Sequence, residues 1–168
     1  MIYSQKMLKE TKKDIDLIEF KNLLEKDERL MGIDLGKKRI GISVSTSNLD
    51  GALPLRTIER EKFNDQLIEL SQIVLDYRIK GIIFGLPLNM DGSEGRSAQS
   101  IKDKSLQIAT SLGLTYAFWD ERLSTVAAER FYENPSKSRQ KKRNPKKDID
   151  NLASAFILEG ALEYIKRN

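Results

Sequence analysis

Three acidic residues stand where their carboxylates could act on one substrate. Asp34 ends a short apolar run in GIDLG, Glu121 follows another in WDERLST, and Asp150 lies at the start of the last helical pattern in KKDIDNLAS. Acids at the carboxyl ends of strands in an α/β sheet can converge over one edge, and a helix packed across that edge can add a third. Oxygen donors without nitrogen or sulfur suit Mg²⁺ or Mn²⁺. One interpretation of these acids is therefore a divalent-metal site.

Each acid also has a purely structural interpretation. Asp34 lies between two glycines and can shape a turn. Asp120 or Glu121 can stabilise the N-terminus of the helix that follows, and Asp148 or Asp150 can do the same for the last helix. The spacing alone does not choose between these interpretations.

Two residue types are absent from the 168 residues, since the sequence contains no histidine and no cysteine. Without cysteine there is no disulfide, thiolate nucleophile or cysteine-ligated metal centre. Without histidine there is no Ser-His-Asp triad, no HExxH zinc site and no imidazole general base. Catalysis would therefore depend on carboxylates, Lys, Ser/Thr, Tyr or a bound metal.

The apolar patterning predicts an α/β fold with a mixed sheet, in the order β-β-β-α-β-α-β-α-α. The predicted strands are LMGID, RIGISVS, ALPLRTIE, KGIIFGLPL and LTYAFWD, and the main predicted helices cover residues 63–77, 95–112, 124–132 and 148–165. Leu17, Phe20 and Leu24 predict an additional amphipathic helix around residues 12–27. We expect residues 1–29 to be a helical extension and residues 30–168 to be the main domain.

Positive charge is concentrated in one segment of the chain. Residues 136–147 contain seven Lys/Arg and no acid, whereas the whole chain has a net charge of +4. Such a segment is either solvated surface or a binding element for phosphates. No stretch resembles a signal peptide or a membrane span, so we expect a cytoplasmic protein without membrane contact.

Four sequence motifs follow one another along the chain: GIDLGKKRIGISVS, GLPLNMDGSEGRSA, WDERLSTVAAE and DNLASAFIL. In this order they resemble the motifs of the YqgF/RuvX family, over roughly residues 30–165. That family is similar to Holliday-junction resolvases in sequence and is assigned to 5′-end maturation of 16S rRNA precursors. The resemblance implies an RNase H-like fold with a mixed central sheet flanked by helices. The family does not account for the N-terminal helix.

The resemblance also implies roles for the three acids. Asp34, Glu121 and Asp150 match the family's acidic positions, and they would hold two Mg²⁺ or Mn²⁺ ions in a metal-dependent endonuclease. Asp120 fits the same motif as Glu121, but the pleat of the strand faces it the other way. The remaining candidates, for substrate binding, are Arg39, Asn89, Arg122, Lys141, Lys142, Arg143, Lys146 and Lys147. For the arginines, an ordinary surface or ion-pair role is the alternative.

Three other functions compete with maturation of precursor rRNA. A Holliday junction resolvase would act on branched DNA and would normally be a symmetric dimer, and the sequence leaves monomer or homodimer open. A ribosome-assembly factor would bind nucleic acid, or a pre-ribosomal particle, without cutting. GIDLG also resembles the first phosphate motif of sugar kinases, actin and Hsp70, but those proteins need two such domains and an adenosine motif, which 168 residues do not supply.

Overall fold

The computed structural model describes residues 14–123 and 145–168, with side chains up to residue 123 and from residue 151 onward, and its strands form one mixed sheet. The strands are β1 (Arg29–Leu35), β2 (Arg39–Ser45), β3 (Ala52–Glu59), β4 (Ile79–Leu86) and β5 (Thr115–Asp120), in the order β3-β2-β1-β4-β5. β1, β4 and β5 are parallel, whereas β2 is antiparallel to both β1 and β3. The carboxyl ends of β1, β3, β4 and β5 therefore meet at one edge, here called the carboxyl edge.

Helices cover both faces of this sheet. They are α1 (Phe20–Leu23), α2 (Phe63–Asp76), α3 (Arg96–Leu112) and α4 (Pro145–Arg167). Leu70 of α2 and Ile108 of α3 lie in the core on one face, and Phe20 and Leu158 lie in the core on the other. The predicted α/β architecture with a mixed central sheet is confirmed.

The pleat of β1 divides its residues between the two cores. Met31, Ile33 and Leu35 lie in the core under α2 and α3. Leu30 lies in the opposite core, and Gly32 faces α4. Since side chains alternate along a strand, Asp34 is on the α4 face, at the carboxyl edge.

Gly32 lets α4 approach the sheet closely. A Cβ at this position would lie 2.8 Å from Cβ of Leu158 and 2.9 Å from the carbonyl oxygen of Ser154, and it would also meet Oγ of Ser43. That hydroxyl is already committed, because it donates a 2.8 Å hydrogen bond to the Ser154 carbonyl. The glycine thus fixes how α4 lies over β1 and β2.

We predict that Gly32→Ala destabilises the protein by about 2–3 kcal/mol, because the added methyl group overpacks a contact with helix backbone. In thermal unfolding this corresponds to a decrease in Tm of roughly 4–10 °C. Gly95→Ala is the matched control, since a Cβ there would meet only the Asn89 side chain, at 3.5 Å or more. Equal melting temperatures for the two variants would contradict the proposed close approach.

Most predicted elements are present, with three differences. In the described part of residues 12–27, only Leu17–Glu19 (a 3-10 turn) and α1 are helical, so the short amphipathic helix predicted there is wrong in extent. The last helix begins at Pro145 rather than at residue 148, consistent with the preference of proline for a first helical turn. The helix predicted over residues 124–132 lies outside the described residues.

The described N-terminal residues pack against the sheet. The backbone N–H of Ile15 donates to the carbonyl of Tyr116 on β5 at 3.0 Å, and Phe20 is fully buried against Gly81. No helix within residues 14–123 and 145–168 has the length and apolar character needed to cross a membrane.

Candidate active site

Asp34 is the next-to-last residue of β1, the central strand of the sheet. Asp34 pairs with Gly41 of β2. It is partly exposed, whereas the three residues before it are buried. The chain turns after Leu35, where the N–H of Gly36 donates to the carbonyl of Asp34 at 3.1 Å. The predicted turn therefore exists, and it leaves the Asp34 carboxylate at an open end of the sheet.

Glu121 follows β5 directly, in the 3-10 turn Glu121–Leu123. Its carboxylate reaches back over β4, because a Cβ added at Gly85 would lie 2.5 Å from Oε1 of Glu121 and would also meet Ile157 of α4. Gly85 of β4 pairs with Trp119 of β5. The residue before it, Phe84, pairs with Ile33 of β1, so Gly85 lies beside Asp34. The missing side chain at Gly85 thus makes room for the Glu121 carboxylate on the strand next to Asp34.

The Glu121 carboxyl is held in an unfavourable environment. Burial, followed by the negative charges of Asp34 and Asp120, raises its pKa from the usual value of about 4.5 to about 7. Near neutral pH both the protonated and the ionised form of this side chain are therefore populated. Because the Glu121 carboxylate lies over Gly85, on the strand beside Asp34, the two predicted acids come together on the α4 face.

Asp150 lies in the amino-terminal part of α4, close to the carboxyl edge where Asp34 lies. Its neighbour Asn151 accepts a 2.7 Å hydrogen bond from Oγ1 of Thr57 on β3. Thr57 pairs with Gly41, which in turn pairs with Asp34. The backbone at residue 150 is thereby placed near the carboxyl edge, although its side chain lies outside the described ones.

Asp120 occupies the opposite face and has a different partner. Its carboxylate accepts hydrogen bonds from Nε of Arg122 at 3.0 Å and from Nη2 of Arg122 at 2.6 Å. These bonds, more than any other influence, hold the pKa of Asp120 below its ordinary value. Asp120 therefore points away from Asp34, as the pleat of the strand predicts.

Arg122 and Asn89, two predicted substrate contacts, touch each other beside Glu121. Nη1 of Arg122 donates to the carbonyls of Asn89 and Met90 at 3.4 and 3.3 Å. The Asn89 side chain donates in turn to Oγ of Ser93, within the same loop. Arg122 therefore attaches the loop after β4 to the 3-10 turn that contains Glu121.

The other predicted substrate contacts are distributed more widely. Arg39 begins β2 on the same face as Gly41, and therefore on the side of Asp34. Lys146 and Lys147 lie in the first turn of α4, which begins before the predicted residue 148, and their side chains are outside the described ones. Lys141, Lys142 and Arg143 lie outside the described residues.

The donor set of this edge fits a hard divalent cation. The Asp34 and Glu121 carboxylates lie on the same face of the sheet. Burial and the charge of Asp34 disfavour the ionised form of Glu121. A bound cation would stabilise that ionised form. Among the described side chains no group of three acids converges. The third predicted ligand, Asp150, is the residue whose side chain is undescribed.

Two features of the site are absent from the sequence-based prediction. Gly85, which makes room for the Glu121 carboxylate, and Gly32 of β1 both lie where an added Cβ would meet residues of α4. Glycines recurring on one face of neighbouring strands would have indicated a closely packed helix. The hydrogen bond from Thr57 to Asn151 has no comparable signal, because it joins residues 94 positions apart.

Comparisons with known proteins show the family of this chain. A family model described as "RuvX: Holliday junction resolvase" matches residues 28–164. A protein of Roseobacter denitrificans named "Putative pre-16S rRNA nuclease" is 44% identical over 153 residues, which cover 90% of this chain and 92% of that protein. A protein of the same name from Rhodospirillum centenum is 40% identical over 157 residues, covering 90% and 82%. The resemblance drawn from the four motifs is confirmed.

Solved structures support the fold. The chain is similar to T. thermophilus RuvC in complex with a Holliday junction substrate, with a TM-score of 0.54 and 14% identity over 81% of this chain and 94% of that one. It is also similar to the yeast mitochondrial Holliday junction resolvase Ydc2, with a TM-score of 0.50 over 98% and 93%. The predicted RNase H-like fold is confirmed.

Proposed function

This chain belongs to the RuvX family, and we propose that it is a divalent-metal-dependent endonuclease that hydrolyses phosphodiester bonds. The observation that carries the proposal is the pair of carboxylates, Asp34 and Glu121, at the carboxyl edge, with the pKa of Glu121 raised to about 7. Groups with strongly shifted pKa values tend to occur at functional sites. In a chain without histidine, acids that hold a metal can serve a nuclease.

In the proposed mechanism Asp34, Glu121 and Asp150 hold Mg²⁺ or Mn²⁺, with two ions as the preferred number. When bound, the cation would supply Lewis-acid stabilisation of the phosphate and would lower the pKa of the attacking water. Glu121 would hold the cation in its ionised form, and Asp34 would contribute the second negative charge. Gly85 leaves room for the Glu121 carboxylate and for Ile157 of α4, both of which lie where its side chain would otherwise be.

We propose precursor 16S rRNA as the substrate, with cleavage that matures its 5′ end and leaves a 5′-phosphate and a 3′-hydroxyl. The names of the two curated relatives support this choice. A cytoplasmic location and contact with a pre-ribosomal particle follow from such a substrate. Residues 1–29 are proposed as an extension of the domain formed by residues 30–168.

A Holliday junction resolvase is the second candidate, favoured by the description of the matching family model. One cleavage assay separates the two functions. The protein, with Mn²⁺ or Mg²⁺, is given a 5′-extended 16S precursor beside a four-way DNA junction, with EDTA as control. Cleavage of the RNA alone, lost with EDTA, is the expected result. Cleavage of the junction alone would favour the resolvase, and binding without cleavage of either substrate would favour an assembly factor.

We predict that neutralising four charges of the basic segment, Lys141→Gln, Lys142→Gln, Arg143→Gln and Lys146→Gln, weakens nucleic-acid binding and flattens its dependence on salt. Each lost phosphate contact decreases the slope of log K against log salt by about 0.7 for a single strand. The measurement is a salt titration of binding to labelled RNA. An unchanged slope would assign the segment to solvated surface.

A further inference from the structure

A second group of cations lies across the sheet from α4. Arg60, Arg96 and Lys104 line an open groove of about 450 Å³ formed along the outer surface of α3. The groove contains one acid, Asp103, whose carboxylate accepts a 2.9 Å hydrogen bond from Nε2 of Gln99. Its lining therefore has more positive than negative charge and includes neutral hydrogen-bonding groups.

Two of these cations repel each other. Burial, followed by the charge of Arg60, lowers the pKa of Lys104. The Lys104 ammonium lies 4.0 Å from the centre of the Phe63 ring, which holds it in place. Among the described residues, neither Arg60 nor Lys104 forms an ion pair with a carboxylate. An anion between them would relieve this repulsion.

The groove is continuous with the carboxyl edge. Nη1 of Arg60 donates a 2.8 Å hydrogen bond to the carbonyl of Gly36, and the N–H of Gly36 donates to the carbonyl of Asp34. Arg96 begins α3 directly after the loop that Arg122 attaches to β5. The cations thus start at the edge that carries the two acids and continue over the opposite face.

We propose that Arg60, Arg96 and Lys104 hold the phosphate backbone of a single nucleic-acid strand where it leaves the active site. This inference rests on the proposed nuclease function, because the occupant is its substrate. Contacts to phosphates fix the register of a strand without reading its sequence. The groove therefore determines which phosphodiester lies over Asp34 and Glu121.

The test compares two triple variants that remove the same charge. Arg60→Gln, Arg96→Gln and Lys104→Gln alter the groove, whereas Lys21→Gln, Lys26→Gln and Lys80→Gln alter exposed lysines near the amino ends of the strands. Binding of a fluorescein-labelled single-stranded RNA is measured in EDTA over about 50–300 mM salt. For the groove variant we expect affinity at least roughly tenfold lower and a slope of log K against log salt smaller by about 2, since three contacts are lost.

Arg96→Glu serves as a second variant if the triple variant does not fold. Arg96 is exposed in the first turn of α3, where a negative charge favours the helix. We expect this charge reversal to weaken RNA binding by a similar factor.

Parallel cleavage assays with the wild-type protein distinguish the two proposals. A groove variant that binds RNA like its control overturns the groove assignment, and cleavage by the wild-type protein then leaves the nuclease function intact. Groove-dependent binding by a wild-type protein that cleaves nothing supports the groove and contradicts the nuclease. If the wild-type protein neither binds nor cleaves, both proposals are wrong.

Discussion

Asp34→Asn is expected to decrease cleavage by roughly 1000-fold or more while the protein remains folded and still binds nucleic acid. The reason is that an anionic oxygen is lost from the carboxyl edge, where charge must hold the cation that stabilises the transition state. Binding should be unchanged or tighter, because a negative charge that faces phosphate is removed. The measurement is single-turnover cleavage together with a binding titration in EDTA.

Asp120→Asn provides the comparison for that variant. It makes the same chemical change one residue before Glu121, on the face opposite Asp34, where the carboxylate is bonded to Arg122. We expect a loss of about tenfold or less, because this variant weakens the attachment of the neighbouring loop and lowers the pKa of Glu121 slightly, but it keeps both carboxylates on the α4 face. Full cleavage by Asp34→Asn, or an equal loss in both variants, would remove Asp34 from the site.

A second measurement on Asp34→Asn tests the geometry independently of activity. The charge of Asp34 is the second cause of the raised pKa of Glu121, after burial. The pKa of Glu121 should therefore fall in this variant but stay above its ordinary value, which carboxyl carbon NMR can follow. An unchanged pKa would mean that the two carboxylates do not interact.

Local patterns explain why so much of the fold was predictable from the sequence. RIGISVS and ALPLRTIE coincide with β2 and β3, because alternating or continuous apolar residues are bounded by turn signals. Gly113 ends α3 in the left-handed conformation, with φ of 68°, as expected for a glycine after a helix. These features depend on neighbours within a few residues.

Features that depend on distant contacts were harder to predict. The N-terminal helical pattern is interrupted because Ile15 pairs with β5 and Phe20 packs on Gly81, so tertiary contacts outweigh the local periodicity. The pairing of Asp34 with Glu121 across Gly85 joins three strands from different parts of the chain. Strand order, which no local pattern specifies, decides that these two acids are neighbours.

The same proximity creates an unfavourable charge in the metal-free protein. In the unfolded chain Glu121 ionises near pH 4.5, but in the folded protein it does so near pH 7. The folded state therefore binds the proton more tightly, and the ionised carboxyl destabilises it increasingly as pH rises from about 4.5 to about 7. Above pH 7 this destabilisation is complete.

We predict that Glu121→Gln abolishes cleavage and makes the metal-free protein more stable at pH 8. Glutamine has the same shape without the charge, so it removes a cost of about 1–2 kcal/mol, after allowance for solvent screening of this partly exposed group. In EDTA this corresponds to an increase in Tm of roughly 3–6 °C at pH 8, and the difference should disappear near pH 4.5. Glu25→Gln, at an exposed carboxyl near the amino ends of the strands, is the control and should change Tm little at either pH.

Adding Mg²⁺ or Mn²⁺ should reverse the order of stability. The wild-type protein gains stability by binding the cation with both carboxylates, whereas Glu121→Gln has lost one of them and gains less. If Glu121→Gln is less stable than the wild-type protein in EDTA at pH 8, the ionised Glu121 carboxyl does not destabilise the folded state. Equal stabilisation of both proteins by the cation would place the metal away from Glu121. The expected reversal would show that the two carboxylates whose repulsion destabilises the metal-free protein are the groups that bind the cation.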